Sequence, residues 1–399
     1  MNLGVYIQVP FCQTKCTYCN FHTGVVAREK YAPYADAVRR EIAALAAGGE
    51  ISSLHDAMVD TVYVGGGTPS LLEPSAVAAI LDALRRNFTF AASALRDSEP
   101  ARDLPLAAPL EITLEADPET ITAEKALAWL AAGFNRVSLG VQSFDDRELQ
   151  AAGRMHRRAD IFAATRILRD AGIRNISMDL IAGLAQQTRE SWEESVARVL
   201  EIRPEHISIY LLEIDEGSRL GKESLAGGAR YSAEAIPSDD AMAESYESAC
   251  ARLADAGYEH YEISNWGLPG FRSRHNLKYW RREPYIGLGA GAHSFDGARR
   301  WSNVHDSAKY VSCIKSGVSP REQIEPVTQQ QALEEELFLG LRQLEGIDLA
   351  GVEKKYGVSL RARIAGLREQ GLLEMDGANL RLAPAHLTVS NEVFVELLG

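Results

Sequence analysis

The sequence predicts an α/β protein: a partial (β/α)6 TIM-like barrel followed by a smaller C-terminal α+β domain of winged-helix-like build. Two observations carry this. Between Gly4 and Leu212, six short apolar runs alternate with stretches whose apolar residues recur at helical spacing. That order requires a parallel sheet with right-handed crossovers. Beyond about Thr328 the alternation gives way to helix, helix, helix and hairpin. The expected domains are 1–237 for the barrel, 238–325 for a segment closing its side, and 326–399 for the C-terminal domain.

The first strand is Gly4 to Val9, ended by Pro10, which has no amide hydrogen for a ladder. A helix over Tyr31 to Ala47 follows. The repeat continues with strand Thr61 to Val64, helix Pro74 to Arg86, strand Leu110 to Glu115 and helix Ala123 to Ala132. Strand Arg136 to Val141, helix Ala159 to Ala171, strand Asn175 to Ile181, helix Arg189 to Glu201 and strand His206 to Leu212 complete it. The stretch from Phe90 to Ala108 has mixed charge and no sustained period, and reads as a mobile surface insertion. Gly217 to Pro237 is similar in composition but follows the last barrel strand, where it would serve as a surface loop or as a lid. From Asp239 a helix leads into GYEHYEISNW, HNLKYW and YIGLGAGAHSF, read as further strands and loops. The C-terminal helices are placed at Glu334 to Leu344, Leu349 to Tyr356 and Ser359 to Glu369, with LLEMDGANLRLA as the wing.

Bulk properties restrict the partners. The 42 Lys and Arg stand against 55 Asp and Glu, a net charge of −13, with no basic run suited to tracking phosphates. Arg361, Arg363 and Arg368 on the third C-terminal helix do not change that balance, so this domain is expected to dock or pack instead of binding DNA. No apolar stretch reaches the roughly 20 residues of a membrane span, and no charged n-region or apolar h-region precedes Pro10. The expectation is a cytoplasmic protein. Five cysteines, three of them clustered, fit a metal site in a reducing compartment better than a disulfide framework.

Those three are Cys12, Cys16 and Cys19 in YIQVPFCQTKCTYCNF, at the C-terminal end of the first strand. Thiolates are soft ligands, and three on one short loop serve one centre. Three is one short of the set that closes a structural zinc site or an ordinary cubane, so one position stays open. The residues alone leave zinc and an iron–sulfur cluster both standing. Gly65-Gly66-Gly67-Thr68-Pro69 follows the second strand, where a side-chain-free backbone can come close to a ligand and offer its amides. Glu115, Gln142 and Asp179 lie at or near the ends of later strands, and Arg154 follows in AGRMH. In a (β/α) barrel these positions gather round one mouth.

C-x3-C-x2-C after a first strand, with a Gly-rich turn one strand later, resembles the radical S-adenosylmethionine (SAM) superfamily. The wider wording YIxxPFCxxxCxYCxF is similar to its branch of coproporphyrinogen dehydrogenases and HemW-type heme chaperones. The resemblance implies a radical SAM barrel holding a [4Fe-4S] cluster on Cys12, Cys16 and Cys19, with SAM on the open iron and an electron donor to the cluster. It further implies SAM contacts at Tyr6, Tyr18, Gly66, Gly67, Thr68, Glu115, Gln142, Arg154 and Asp179. Tyr18 would be the aromatic residue beside the cluster.

His275-Asn276-Leu277-Lys278-Tyr279-Trp280 resembles the HNxxYW motif associated with heme in HemW-type proteins. The resemblance implies His275 as an axial ligand and Asn276, Tyr279 and Trp280 as neighbours of the macrocycle. A histidine satisfied within a structural loop is the other reading of the same residues. His293 is a weaker candidate, and Cys250 and Cys313 stand behind it. Coproporphyrinogen dehydrogenases carry a fourth cysteine two residues after the third, and an extension before the motif. Here Phe21 occupies that position and eleven residues precede Cys12. Both departures point to a heme chaperone that hands heme to an acceptor protein. The alternative is an oxygen-independent coproporphyrinogen III dehydrogenase of porphyrin biosynthesis.

Overall fold

A computed structural model of the chain describes residues 1–47, 57–91, 110–322 and 324–398. Most of the insertion expected over 90–108 therefore lies outside the described residues. The core strands are β1 (Asn2–Val9), β2 (Met58–Gly66), β3 (Glu111–Ala116), β4 (Arg136–Gln142), β5 (Asn175–Ala182) and β6 (His206–Leu211). Their helices are α1 (Tyr31–Ala47), α2 (Pro74–Asn87), α3 (Ala123–Ala132), α4 (Arg158–Ala171), α5 (Arg189–Ile202) and α6 (Asp239–Asp255). All six strands run parallel in chain order. A seventh parallel strand, Tyr285–Leu288, pairs with the free side of β1, so that Gly4 lies opposite Tyr285. Antiparallel strands extend both ends: Asn265–Gly267 and Glu259–Glu262 beyond β6, and His293–Phe295, Arg299–Ser302 and Glu325–Pro326 beyond Tyr285–Leu288.

The curl of this sheet follows from the alternation along each strand. Leu3, Val5, Ile7 and Val9 of β1 are buried, as are Val62 and Val64 of β2, Ile112 and Leu114 of β3, and Val137, Leu139 and Val141 of β4. They form one core with the apolar faces of the helices, such as Val77, Ile80, Leu81 and Leu84 of α2 and Trp192, Val196 and Val199 of α5. The intervening residues point into the barrel and are largely polar: Tyr6 and Gln8, Thr61 and Tyr63, Thr113 and Glu115, Ser138, Asp179 and Ser208. The hydrophobic core thus lies between sheet and helices, and the lumen is reserved for polar groups.

Helix ends are fixed locally. At the start of α3, Thr122 accepts a hydrogen bond from the Lys125 amide at 3.2 Å. Thr122→Ala should lower stability by about 1 kcal/mol, read from the denaturant midpoint; an unchanged midpoint would mean that the cap contributes nothing. Glu41 of α1 ties the late strand to the early helix: it accepts from the Gly289 amide (2.9 Å), Asn303 Nδ2 (2.6 Å) and the Tyr310 hydroxyl (2.6 Å).

HNLKYW is a helix, Arg274–Trp280, and not the strand or loop its short apolar pattern suggested. It sits at the N-terminal ends of the strands as a floor to the barrel. Glu111 accepts from the Arg274 and His275 amides at 3.2 and 3.0 Å, placing a carboxylate at the positive end of the helix. Asp60 pairs with both Arg274 (3.0 Å) and the buried Lys278 (2.9 Å).

The C-terminal domain has helices Gln329–Gly340, Leu349–Tyr356 and Arg361–Glu369 and the hairpin Leu373–Asp376 with Asn379–Leu382. Ile347–Asp348 adds a third strand to the wing. Arg282 and Arg300 reach Glu335 of its first helix, each at 2.8 Å, and fasten the domain to the barrel's antiparallel edge. Among the described residues no helix is long and apolar enough to cross a membrane.

Candidate active site at the barrel mouth

The cysteine loop lies across the C-terminal ends of the strands and is tied down on three sides. Cys12 N donates to Gly24 O (3.1 Å) and Gly24 N to Pro10 O (2.9 Å), closing the loop on itself. Thr17 N donates to Ala152 O (3.0 Å), and Thr14 Oγ1 to Gly153 O (3.1 Å). On the far side Leu220 N donates to Thr17 O (2.8 Å), and Asn20 donates to Asp215 at 3.1 Å. The segment 217–237 therefore packs against the loop, with helix Arg219–Leu225 and Leu220 in the same apolar cluster as Tyr18.

Cys12, Cys16 and Cys19 are half-buried and unpaired. Burial raises the thiol pKa of Cys12 and of Cys19. The Thr23 hydroxyl faces both of these sulfurs and has no nitrogen or oxygen partner. Arg154 Nη1 lies 3.5 Å from Cys16 Sγ, and its buried Nε has no partner. Among the described residues no three His, Cys, Asp or Glu side chains converge on one ion.

Below the loop, the Gly-rich turn and the polar lumen meet. Glu115 accepts from Tyr63 OH at 2.7 Å and from the Gly66 amide at 2.9 Å. Burial raises its pKa to about 7; the two hydrogen bonds oppose the rise, and Asp179 and Asp117 add to it. Asp179, also raised by burial, accepts from Ser138 at 3.3 Å. Tyr6 donates to Gln8 at 2.6 Å and stacks on Tyr63. Gln142 ends β4 with φ +64°, a left-handed conformation uncommon for a residue with a side chain, and a register shift against β5 accompanies it. Arg154 donates to Asp117 and to Gly140 O (2.8 Å), so its guanidinium is held between Asp117 and Cys16 instead of standing free.

The amides of the Gly-rich turn are engaged within the fold. Gly66 N is used by Glu115, Gly67 N by Val9 O (2.8 Å) and Thr68 N by Phe11 O (2.7 Å). The mouth offers a ligand the carboxylates of Glu115 and Asp179 and the carbonyl oxygen of the Gln142 side chain as acceptors, beside the Arg154 Nε and the Thr23 hydroxyl as donors. The acceptors suit an ammonium group. Three participants escaped the sequence reading: Gln8, Tyr63 and Asp117. The first two are inward positions of strands already identified, and Asp117 stands two residues after Glu115.

His275 is 1% exposed on the barrel floor. Nδ1 meets Thr61 Oγ1 and Nε2 meets Tyr279 OH, both at 2.9 Å, and the ring stacks on Tyr63 at 5.2 Å between centroids. Burial, with Lys278 and Arg136 nearby, lowers its pKa to about 3, which keeps the ring neutral. Neither nitrogen is open to iron in this arrangement. Asn276 and Tyr279 are half-buried on the same helix, and Trp280 lies under the Arg342 guanidinium. The structure thus brings His275 to Tyr6 and Tyr63 but places HNxxYW at the opposite end of the barrel from the cysteines. Cys250 and Cys313 lie on outer helices, and Phe21 is 66% exposed beside the loop.

Comparison with known proteins agrees with this fold. Residues 6–199 match the radical SAM superfamily and residues 327–385 the HemN C-terminal domain. The chain is 33% identical to the heme chaperone HemW of Bacillus subtilis, with 99% of each covered. It is 33% identical to the heme chaperone HemW of Mycobacterium tuberculosis, covering 99% of this chain and 95% of the relative. The solved structure of Escherichia coli coproporphyrinogen III oxidase (HemN) superposes with a TM-score of 0.80 at 22% identity, covering 99% of this chain and 89% of the other. At that identity the likeness establishes the fold alone.

Proposed function

The chain belongs to the HemW family of the radical SAM superfamily, and on that premise we propose that it is a heme chaperone that passes heme to an acceptor protein. In this reading Cys12, Cys16 and Cys19 hold a [4Fe-4S] cluster and the mouth beneath them holds SAM. The observation that carries the cofactor assignment is the three-thiol loop laid across a mouth lined by the carboxylates of Glu115 and Asp179. When bound, the cluster and SAM supply one-electron chemistry.

The residues divide the work by position. Arg154 sets a permanent cation beside Cys16 and is itself anchored by Asp117 and Gly140. Glu115 receives the ammonium end of SAM, and Tyr63 and the Gly66 amide orient its carboxylate. Tyr6, Gln142 and Asp179 complete the polar wall. Tyr18 is wedged between the loop and the segment around Leu220, so that this segment shields the mouth from water.

Hemin titration of the full chain, with its cluster reconstituted anaerobically, should give saturable binding with and without SAM. The same protein given coproporphyrinogen III, SAM and reductant should form no protoporphyrinogen. Steady, substrate-dependent protoporphyrinogen with 5′-deoxyadenosine would overturn the chaperone reading in favour of the dehydrogenase.

A pH dependence follows from Glu115. With a pKa of about 7 in the folded protein, its carboxyl protonates as the pH falls below that value. SAM affinity should then fall by about tenfold per pH unit below the pKa, because only the carboxylate pairs with the ammonium group. The ligand-free protein shows the opposite sign. A raised folded pKa stabilises it below the ordinary carboxylate range, and that contribution is lost as pH rises through about 7. SAM binding isotherms across this range test the assignment: Glu115→Gln should flatten the profile, and a flat wild-type profile would remove Glu115 from the ammonium site.

A further inference from the structure

Of the eight described histidines, seven fall into two groups by what their rings meet, and the eighth, His386, is half-buried in the C-terminal domain. His156, His206, His260 and His275 all make ring hydrogen bonds within the fold. His22, His293 and His305 are exposed, and among the described residues their ring nitrogens make no hydrogen bond. They are far apart in sequence yet adjacent in space: the His22 and His305 rings lie 4.3 Å apart between centroids, and those of His293 and His305 6.3 Å apart. The fold holds them there from both sides. Gly291 N donates to Val304 O and Asn303 N to Ala292 O, which locks the His293 and His305 segments together, and Glu41 grips Asn303 beneath. His22 adjoins Thr23, whose hydroxyl faces the Cys12 and Cys19 thiols.

We propose that this patch supplies the axial ligand of heme iron, so that heme docks at the rim of the mouth beside the cysteine loop and not on the HNxxYW helix. The inference rests on the heme-chaperone reading and adds the site to it. The three rings do not converge as a chelate for a bare ion. A heme iron brings its in-plane ligands with it and needs only one or two imidazoles, a demand that exposed, unpartnered rings meet. Phe21 and Val25, 66% and 60% exposed on either side of His22 in the chain, offer apolar surface for the macrocycle. By contrast His275 has both nitrogens engaged inside the barrel.

The test is hemin titration of the full chain with its cluster reconstituted, followed by electron paramagnetic resonance of the ferric heme. The variants are His22→Ala/His293→Ala/His305→Ala and, separately, His275→Gln. The triple variant should bind hemin at least about tenfold more weakly and lose the imidazole-ligated signal, with iron and sulfide content as in the wild type. His275→Gln should keep the signal. A triple variant with wild-type affinity and signal would overturn the site while leaving the chaperone reading intact, as would loss of the signal in His275→Gln alone. Absence of hemin binding by the wild type would overturn both.

Discussion

Replacing Cys12, Cys16 and Cys19 together by alanine should abolish the iron–sulfur absorption of the anaerobically reconstituted protein and remove SAM binding with it, while far-ultraviolet circular dichroism stays that of the wild type. The separation of the two effects follows from how the loop is held. Its ties are Cys12 N to Gly24 O, Thr17 N to Ala152 O and Leu220 N to Thr17 O, and none uses a thiol. The sulfurs are half-buried and unpaired, so their removal leaves only small cavities. Iron retained at wild-type stoichiometry in the triple variant would show that the centre lies elsewhere.

Gly67→Ala should have the second largest effect, by a different route. A Cβ at this position would stand 2.4 Å from Phe11 O, 2.9 Å from Phe11 C and 3.0 Å from Cys12 Sγ. These are backbone atoms and a cluster ligand, and they cannot swing aside as a flexible side chain would. The turn is also stitched to the same segment by Gly67 N to Val9 O and Thr68 N to Phe11 O. Relief therefore means pushing the start of the cysteine loop outward, at a cost of about 1–3 kcal/mol, with several-fold less iron incorporated. Gly24→Ala is the control within the same loop, because nothing lies within 4 Å of its would-be Cβ. Equal iron content in Gly67→Ala and wild type would sink the argument.

Much of this arrangement is legible in the residues, for identifiable reasons. The strand–helix units are evident because each strand buries every second residue against an amphipathic helix, as Leu3, Val5, Ile7 and Val9 do in β1. The cysteine motif and the glycine run declare themselves by composition. Asp117 was hidden because its role is to bridge Thr68 and Arg154, which are remote from each other in sequence. The floor helix was hidden because Arg274–Trp280 spans barely two turns, too short for a period to emerge. Its helical state is imposed by Glu111 and Asp60, which come from strands far upstream. The pairing of His22 with His305 leaves no local trace at all.

The place of β1 also governs how the molecule assembles on synthesis. With β2 on one flank and Tyr285–Leu288 on the other, β1 is completed by a strand made much later in the chain. Until residue 288 has emerged, β1 presents an unpaired edge of amides and carbonyls, directly below the cysteine loop. A nascent chain halted before that point is therefore an aggregation-prone species, and closing so long a loop makes this pairing a slow step in folding.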